Sequence, residues 1–163
     1  MNPKLHAAWG PAGVGPPGPE AVAELDVVLR HEMTHAVFFT GLEKGNPPRH
    51  PHWLVEGIAD YGAENTGRLA ARQDPTGLTL DPGAPDRGRV DYWLGYTAHL
   101  ALECWQGRQV VVNYAAGLLR MDIAAALRGA AGGATMERWE REWRRRASTG
   151  DFARKPAKEF KCE

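Results

Sequence analysis

Residues 27–39, VVLRHEMTHAVFF, set the first condition on any fold this chain adopts. The flanks are apolar, as in a buried helix, yet the middle carries His31, Glu32 and His35. Three polar groups in such a setting are costly unless partners compensate them. Val22, Leu25, Val28 and Leu29 recur at helical spacing, which predicts a helix from about Glu20 to Thr40. Pro19 and Glu20 suit its start, Glu24 its early turns, and Gly41 its end. On that helix His31 and His35 share one face, a turn apart, and Glu32 is rotated from them by about 100°. This is the H-E-x-x-H signature, in which two neutral imidazoles clamp one metal ion and the glutamate beside them serves as general base. Chance placement of two histidines is the competing reading; the core-like flanks around the polar trio speak for the metal.

A catalytic zinc site takes three protein ligands and keeps one position open. The third must come from outside this helix face. Glu56 is the candidate: it lies 21 positions after His35, beyond a Gly/Pro loop that lets the chain reverse, in WLVEGIADYGAEN (53–65), which reads as a second helix. Asp60 follows four residues later on the same face. A ligating histidine usually gives its other N–H to a carboxylate, and Asp60 suits that role for His31. An ordinary solvated helix face is the alternative for both carboxylates, but Glu56 is embedded among Trp53, Leu54, Val55 and Ile58.

The rest of the chain bounds the setting. Its 163 residues make one domain, and 20 basic against 20 acidic residues leave no net charge to recommend a nucleic-acid partner. No apolar run approaches a membrane span of about 18 residues. The first twenty residues lack the apolar stretch of a secretory signal, so the expected compartment is cytoplasmic as written, or secreted if sequence lies upstream. Residues 1–19 are Gly/Pro-rich and expected irregular, 20–148 form the expected catalytic domain, and 149–163 a polar tail. Helices are predicted from about Val90 to Gln106 and, shorter, within 109–120, 121–130 and 135–147. Residues 74–89 read as a long loop, either a lid or a plain linker. Only GLTLD (77–81) alternates like a strand, so the fold class is mainly α.

HEMTH followed by WLVEGIADY resembles the gluzincin metallopeptidases, and most closely the peptidase MA-like family, with plant basic secretory proteins nearby. DYWLGYTAHLAL and MERWEREWRRRA are similar to the later, weaker motifs of that family, so the likeness covers roughly residues 25–147. It implies a zincin-like helical core, Zn2+ held by His31, His35 and Glu56, Asp60 behind His31, and Glu32 as the base. A tyrosine stabilising the oxyanion is also implied: Tyr92 in YWLG is the matching residue, and Tyr96, one turn on, is the alternative. Relatives carry β-strands ahead of the metal helix that bind peptide in extended form. Here that sheet is reduced or absent, so the substrate is a short peptide or small amide or ester, unless a partner chain completes the cleft.

Hydrolysis of a peptide bond is the expected activity. A zinc hydrolase or cyclase acting on a small metabolite is the second expectation, and a non-catalytic module stabilised by zinc the third. The remaining polar residues draw ordinary readings: His50 and His52 as exposed loop residues, Tyr61 as structural, His99 as a satisfied core histidine. Trp139 and Trp143 read as core packing, Arg144 to Arg146 as a solvated helix end, and Cys104 as a small buried thiol with no disulfide to Cys162.

Overall fold

The computed structural model describes residues 18–41, 50–65, 67–70, 73–150 and 152, and these are mainly helical, with no strand among them. All but the last two residues of the expected irregular N-terminal segment, and nearly all of the polar tail, lie outside the described residues; Pro19 already belongs to the first helix. The elements are α1 (Pro19–Gly41), α2 (His52–Gly62), the short α3 (Gly67–Ala70), α4 (Arg89–Gln106), α5 (Arg108–Leu118), α6 (Ile123–Ala130) and α7 (Met136–Thr149). Among the described residues no helix is long and apolar enough to cross a membrane.

Helix α4 is the centre. Its sequence is apolar on nearly every side, so it needs cover all round, and every residue from Trp93 to Leu102 is buried. Helices α2, α5 and α7 pack around it. Against α2 the backbones themselves meet: a Cβ added to Gly57 would stand 2.4 Å from the Cα of Gly95. Only paired glycines allow so close a crossing. Helix α7 starts at Thr135, whose side chain accepts from Arg138 N–H. It turns Trp139 and Trp143 fully inward, where their Nε1–H groups donate to Ala98 O at 2.9 Å and Thr97 Oγ1 at 3.0 Å. Both tryptophans are core, as the sequence predicts. Gly107, with φ of 91°, breaks α4 from α5 in a conformation that side chains avoid.

The structure corrects several expectations. Helix α1 is not a buried helix: of its residues only Phe38 is buried, while Val22, Leu29, Met33, Val37 and Phe39 are at least half exposed. Its principal partner is α2. GLTLD forms no strand. Instead Thr79 Oγ1–H and Leu80 N–H donate to Glu140 Oε2 at 2.9 and 3.1 Å. Arg144 is no simple solvated end either, since its guanidinium donates to Glu140, Pro75 O and Leu78 O. The loop 73–88 is thus tied to one turn of α7, and Arg146 beside it is buried. Cys104, in the half-buried last turn of α4, is disulfide-bonded rather than a thiol; the chain's other cysteine, Cys162, lies outside the described residues. Phe152 is buried within what the sequence suggests is polar tail.

Candidate metal centre

Two helices build the site. Helix α1 offers His31 and His35 one turn apart, their rings 4.6 Å between centroids and nearly perpendicular. Helix α2 begins after Pro51, which is itself extended and whose carbonyl accepts from the N–H of Leu54 and Val55. Its first two turns then carry Glu56 to the α1 face. The Nε2 atoms of His31 and His35 lie 3.0 Å apart, and each is 3.3 Å from Glu56 Oε2. A zinc ion 2.0–2.1 Å from three corners of a tetrahedron sets those corners about 3.3 Å apart. The donor set therefore fits a small tetrahedral cation: two imidazole nitrogens and one carboxylate oxygen, each ligand side chain 12–16% exposed.

Behind the ligands the polar groups are paired. His31 Nδ1–H donates to Asp60 Oδ1 at 2.8 Å, and Asn65 Nδ2–H donates to the same oxygen at 2.8 Å. Asp60 is fully buried. The contact fixes which His31 nitrogen is free to bind a metal. Burial alone would push the His31 imidazole down, but Asp60 and then Glu56 outweigh it and hold the group up to about 9. Burial likewise pushes Glu56 up, while the hydrogen bond from His31 and the charges of His35, His31 and His52 hold it below the usual carboxylate range.

In front of the ligands lies an open cleft of about 540 Å³, lined by His31, Glu32, His35, Ala36, Phe39, Glu56 and Tyr92. Glu32 is exposed on its wall, placed by its 100° offset to face the cleft rather than the ligand point. Tyr92, in the first turn of α4, stacks on His31 with centroids 6.3 Å apart and planes within 18°. Tyr96 goes elsewhere. It is 3% exposed and absent from the cleft lining, and burial with the carboxylates of Asp60, Glu64 and Glu103 pushes its hydroxyl well up. Tyr61 is structural, its hydroxyl donating to Glu103 at 2.7 Å.

Three histidines outside the motif fall out differently. His99 is a fully buried core residue, Nδ1–H donating to Gly95 O at 2.7 Å, and burial lowers it to about 4 despite that carbonyl. Its Nε2 has no hydrogen-bond partner, so it is only half satisfied. His50 is not exposed loop: Nε2–H donates to Leu118 O at 3.0 Å, and burial lowers its pKa. His52, also expected in the loop, opens α2 and belongs to the site. Its Nε2 is 3.6 Å from Glu56 Oε1, its Nδ1 is 3.2 Å from Asp86 and 3.5 Å from Asp91, and its ring meets Tyr92 edge-on at 5.4 Å. The signal was present: His52 is four residues before Glu56, hence on the same helix face. Comparison with known proteins finds no family model, no curated protein and no solved structure that matches this chain.

Proposed function

We propose that this chain is a zinc-dependent hydrolase of the gluzincin type, with a zincin-like helical core, that cleaves a peptide or other amide bond. The observation that carries the reading is the triangle of His31 Nε2, His35 Nε2 and Glu56 Oε2, with edges of 3.0, 3.3 and 3.3 Å, opening onto a cleft walled by Glu32 and Tyr92. These three ligands would hold the ion. When bound it supplies Lewis-acid polarisation of the carbonyl and a water acidic enough to attack near neutral pH. Glu32 takes the proton from that attacking water and returns it to the leaving amine. Tyr92 donates to the carbonyl oxygen as charge gathers on it, and Asp60 keeps His31 in the tautomer that leaves Nε2 free.

A second reading has the same residues act on a small amide or ester. Two observations favour it: no strand among the described residues edges the cleft, and 540 Å³ lies within the range of small-molecule sites. Glu32→Gln tests the chemistry, because the amide nearly matches the carboxylate in shape but cannot accept the proton. It should retain the metal and the fold and abolish turnover of whichever substrate works. Unchanged turnover would remove Glu32 from the mechanism. Screening the zinc-loaded protein against casein, short fluorogenic peptides and small amides and esters separates the two readings. Cleavage of short peptides or small substrates well ahead of casein is expected. Absence of turnover on all of them would favour a non-catalytic zinc module.

A further inference from the structure

His52 opens α2 with its ring set among α2, α4 and the loop 73–88. Its Nδ1 stands 3.2 Å from Asp86 Oδ1 and 3.5 Å from Asp91 Oδ2, and one donor atom from each of the three residues lies within 4.8 Å of the other two. Neither contact is a hydrogen bond: Nδ1 is shut off from solvent and has no hydrogen-bond partner, a state that buried polar atoms rarely keep. The other ring nitrogen, Nε2, is 3.6 Å from Glu56 Oε1, beyond hydrogen-bond reach. Both aspartates are held from behind. Asp86 Oδ1 accepts from Gly88 N–H at 2.7 Å. Asp91, 1% exposed, accepts at Oδ1 from Arg87 Nε–H at 2.8 Å and at Oδ2 from Arg87 N–H at 3.1 Å. Each oxygen keeps a further lone pair, and the one guanidinium answers only one of the two carboxylate charges.

We propose that His52, Asp86 and Asp91 form a second metal site, which takes a divalent transition ion, Zn2+ or Mn2+, through His52 Nδ1 and one oxygen of each aspartate. The site shares no residue with the group of His31, His35 and Glu56, and the inference stands apart from that reading. An ion about 2.1 Å from its ligands sets octahedral edges of about 3.0 Å and tetrahedral edges of about 3.4 Å; the two edges at His52 are 3.2 and 3.5 Å. One imidazole with two carboxylates suits zinc or manganese, whereas calcium takes oxygen ligands only, and more of them. The ion gives the buried nitrogen its missing partner and the second carboxylate its counter-charge. Asp86 is 63% exposed, which leaves room for water to complete the ion's shell. Bound there, the ion joins the first residue of α2, the loop 73–88 and the first turn of α4, where Tyr92 follows Asp91. It acts as a clasp and not as a second reaction centre, because the cleft is lined by other residues.

The test uses the full chain, stripped of metal and dialysed against Zn2+ buffered in the micromolar range. Bound zinc is counted per chain, and far-UV circular dichroism checks the fold of each form. The parent should hold two ions and His35→Ala one. Asp86→Ala and Asp86→Asn should each hold one, and either of them combined with His35→Ala should hold none. The asparagine can still accept from Gly88 N–H, so its loss of zinc reads the carboxylate and not the shape of the loop; if the alanine variant fails to fold, the asparagine variant is read alone. Asp81→Ala is the control. Asp81 lies in the same loop and accepts from Gly83 N–H at 2.8 Å but is outside the cluster, so this variant should match the parent. Asp86 variants that hold as much zinc as the parent overturn the site. A parent with one ion and a His35→Ala form with none overturns it too, while leaving the first site standing. One ion in both of those forms, lost in Asp86→Asn, upholds the second site and removes the first. Equal loss in Asp81→Ala marks adventitious surface binding and overturns the proposal, as does a parent that takes up no zinc.

Discussion

The site depends on how closely α2 and α4 approach, and Gly95→Ala tests that directly. A Cβ at Gly95 would stand 1.9 Å from Trp53 O and 2.6 Å from Gly57 Cα. Reaching even 3.0 Å, a distance real Cβ contacts essentially never undercut, forces the helices apart by about 1.1 Å. Overpacking that side chains absorb costs about 1–3 kcal/mol. Here backbone meets backbone and no rotamer relieves it, so about 3 kcal/mol is expected, or a midpoint lower by about 6–12 °C. The displacement also reaches the site, because Glu56 and His52 ride on α2 and Tyr92 on α4. A shift of about 1 Å in a catalytic group is enough to lose about 10²-fold in rate, and zinc affinity should fall with it. Gly129→Ala is the control: it lies exposed in α6 with nothing within 4 Å, so it should stabilise by up to about 1 kcal/mol. Urea unfolding followed by circular dichroism reads both. A Gly95→Ala protein within about 0.5 kcal/mol of the parent would refute the close crossing.

The remaining predictions concern the cleft. Tyr92→Phe should lower kcat by about 10²–10³ with the metal retained, whereas Tyr96→Phe, altering a buried residue off the cleft, should act on stability more than on kcat; the reverse pattern would assign the oxyanion to Tyr96. His31 is held up to about 9 without metal, so a proton must leave it before an ion binds, and apparent zinc affinity should fall about tenfold per pH unit below that value. A competition titration flat between about pH 6 and 8 would contradict it. The same raised value stabilises the metal-free fold fully below its ordinary 6.5 and ceases to do so as pH rises through 9; thermal melts of chelator-treated protein across that window should show the midpoint falling.

The sequence revealed what is local and periodic. Helix α1 and its three polar residues follow from spacing, and Asp60 follows from lying one turn after Glu56; the 2.8 Å contact with His31 is that spacing realised. What it could not reveal depends on packing between elements. Tyr92 and Tyr96 share a face of α4, and only the seating of α2 and α7 decides that one emerges into the cleft while the other is covered. His52 reads as loop because PPRHPHW looks irregular, yet Pro51 supplies the extended residue from which α2 starts. Arg144 passes for a solvated cation because its carbonyl partners, Pro75 and Leu78, lie 69 and 66 positions away. Leu80 alternates like a strand residue, but its backbone N–H finds the Glu140 carboxylate instead of a neighbouring strand.

The unequal seating of the two ligand helices has a thermodynamic consequence. Helix α2 is sealed into the core by Trp53, Leu54, Ile58 and Ala59, so it is expected to open only with the core. Helix α1 buries only Phe38 among 23 residues, so little apolar surface holds it down, and low-stability elements open well before the global transition. Two of the three proposed ligands sit on α1 and one on α2, so a bound metal ion would cross-link the loosely held helix to the firmly held one. Whatever free energy such an ion gained from its ligands would be, to that extent, docking free energy of α1. Hydrogen exchange should therefore report metal removal unevenly. Amides in Pro19–Gly41 should lose about 10²-fold or more in protection on chelation, because even about 3 kcal/mol of lost binding shifts an opening equilibrium by that much, while amides in Trp93–Leu102 should change little. Uniform loss across both segments would mean that α1 and the core unfold as one unit. Unchanged protection in α1 would mean that its few apolar contacts suffice without the ion, and that the histidines of α1 are held in place by packing with α2 alone.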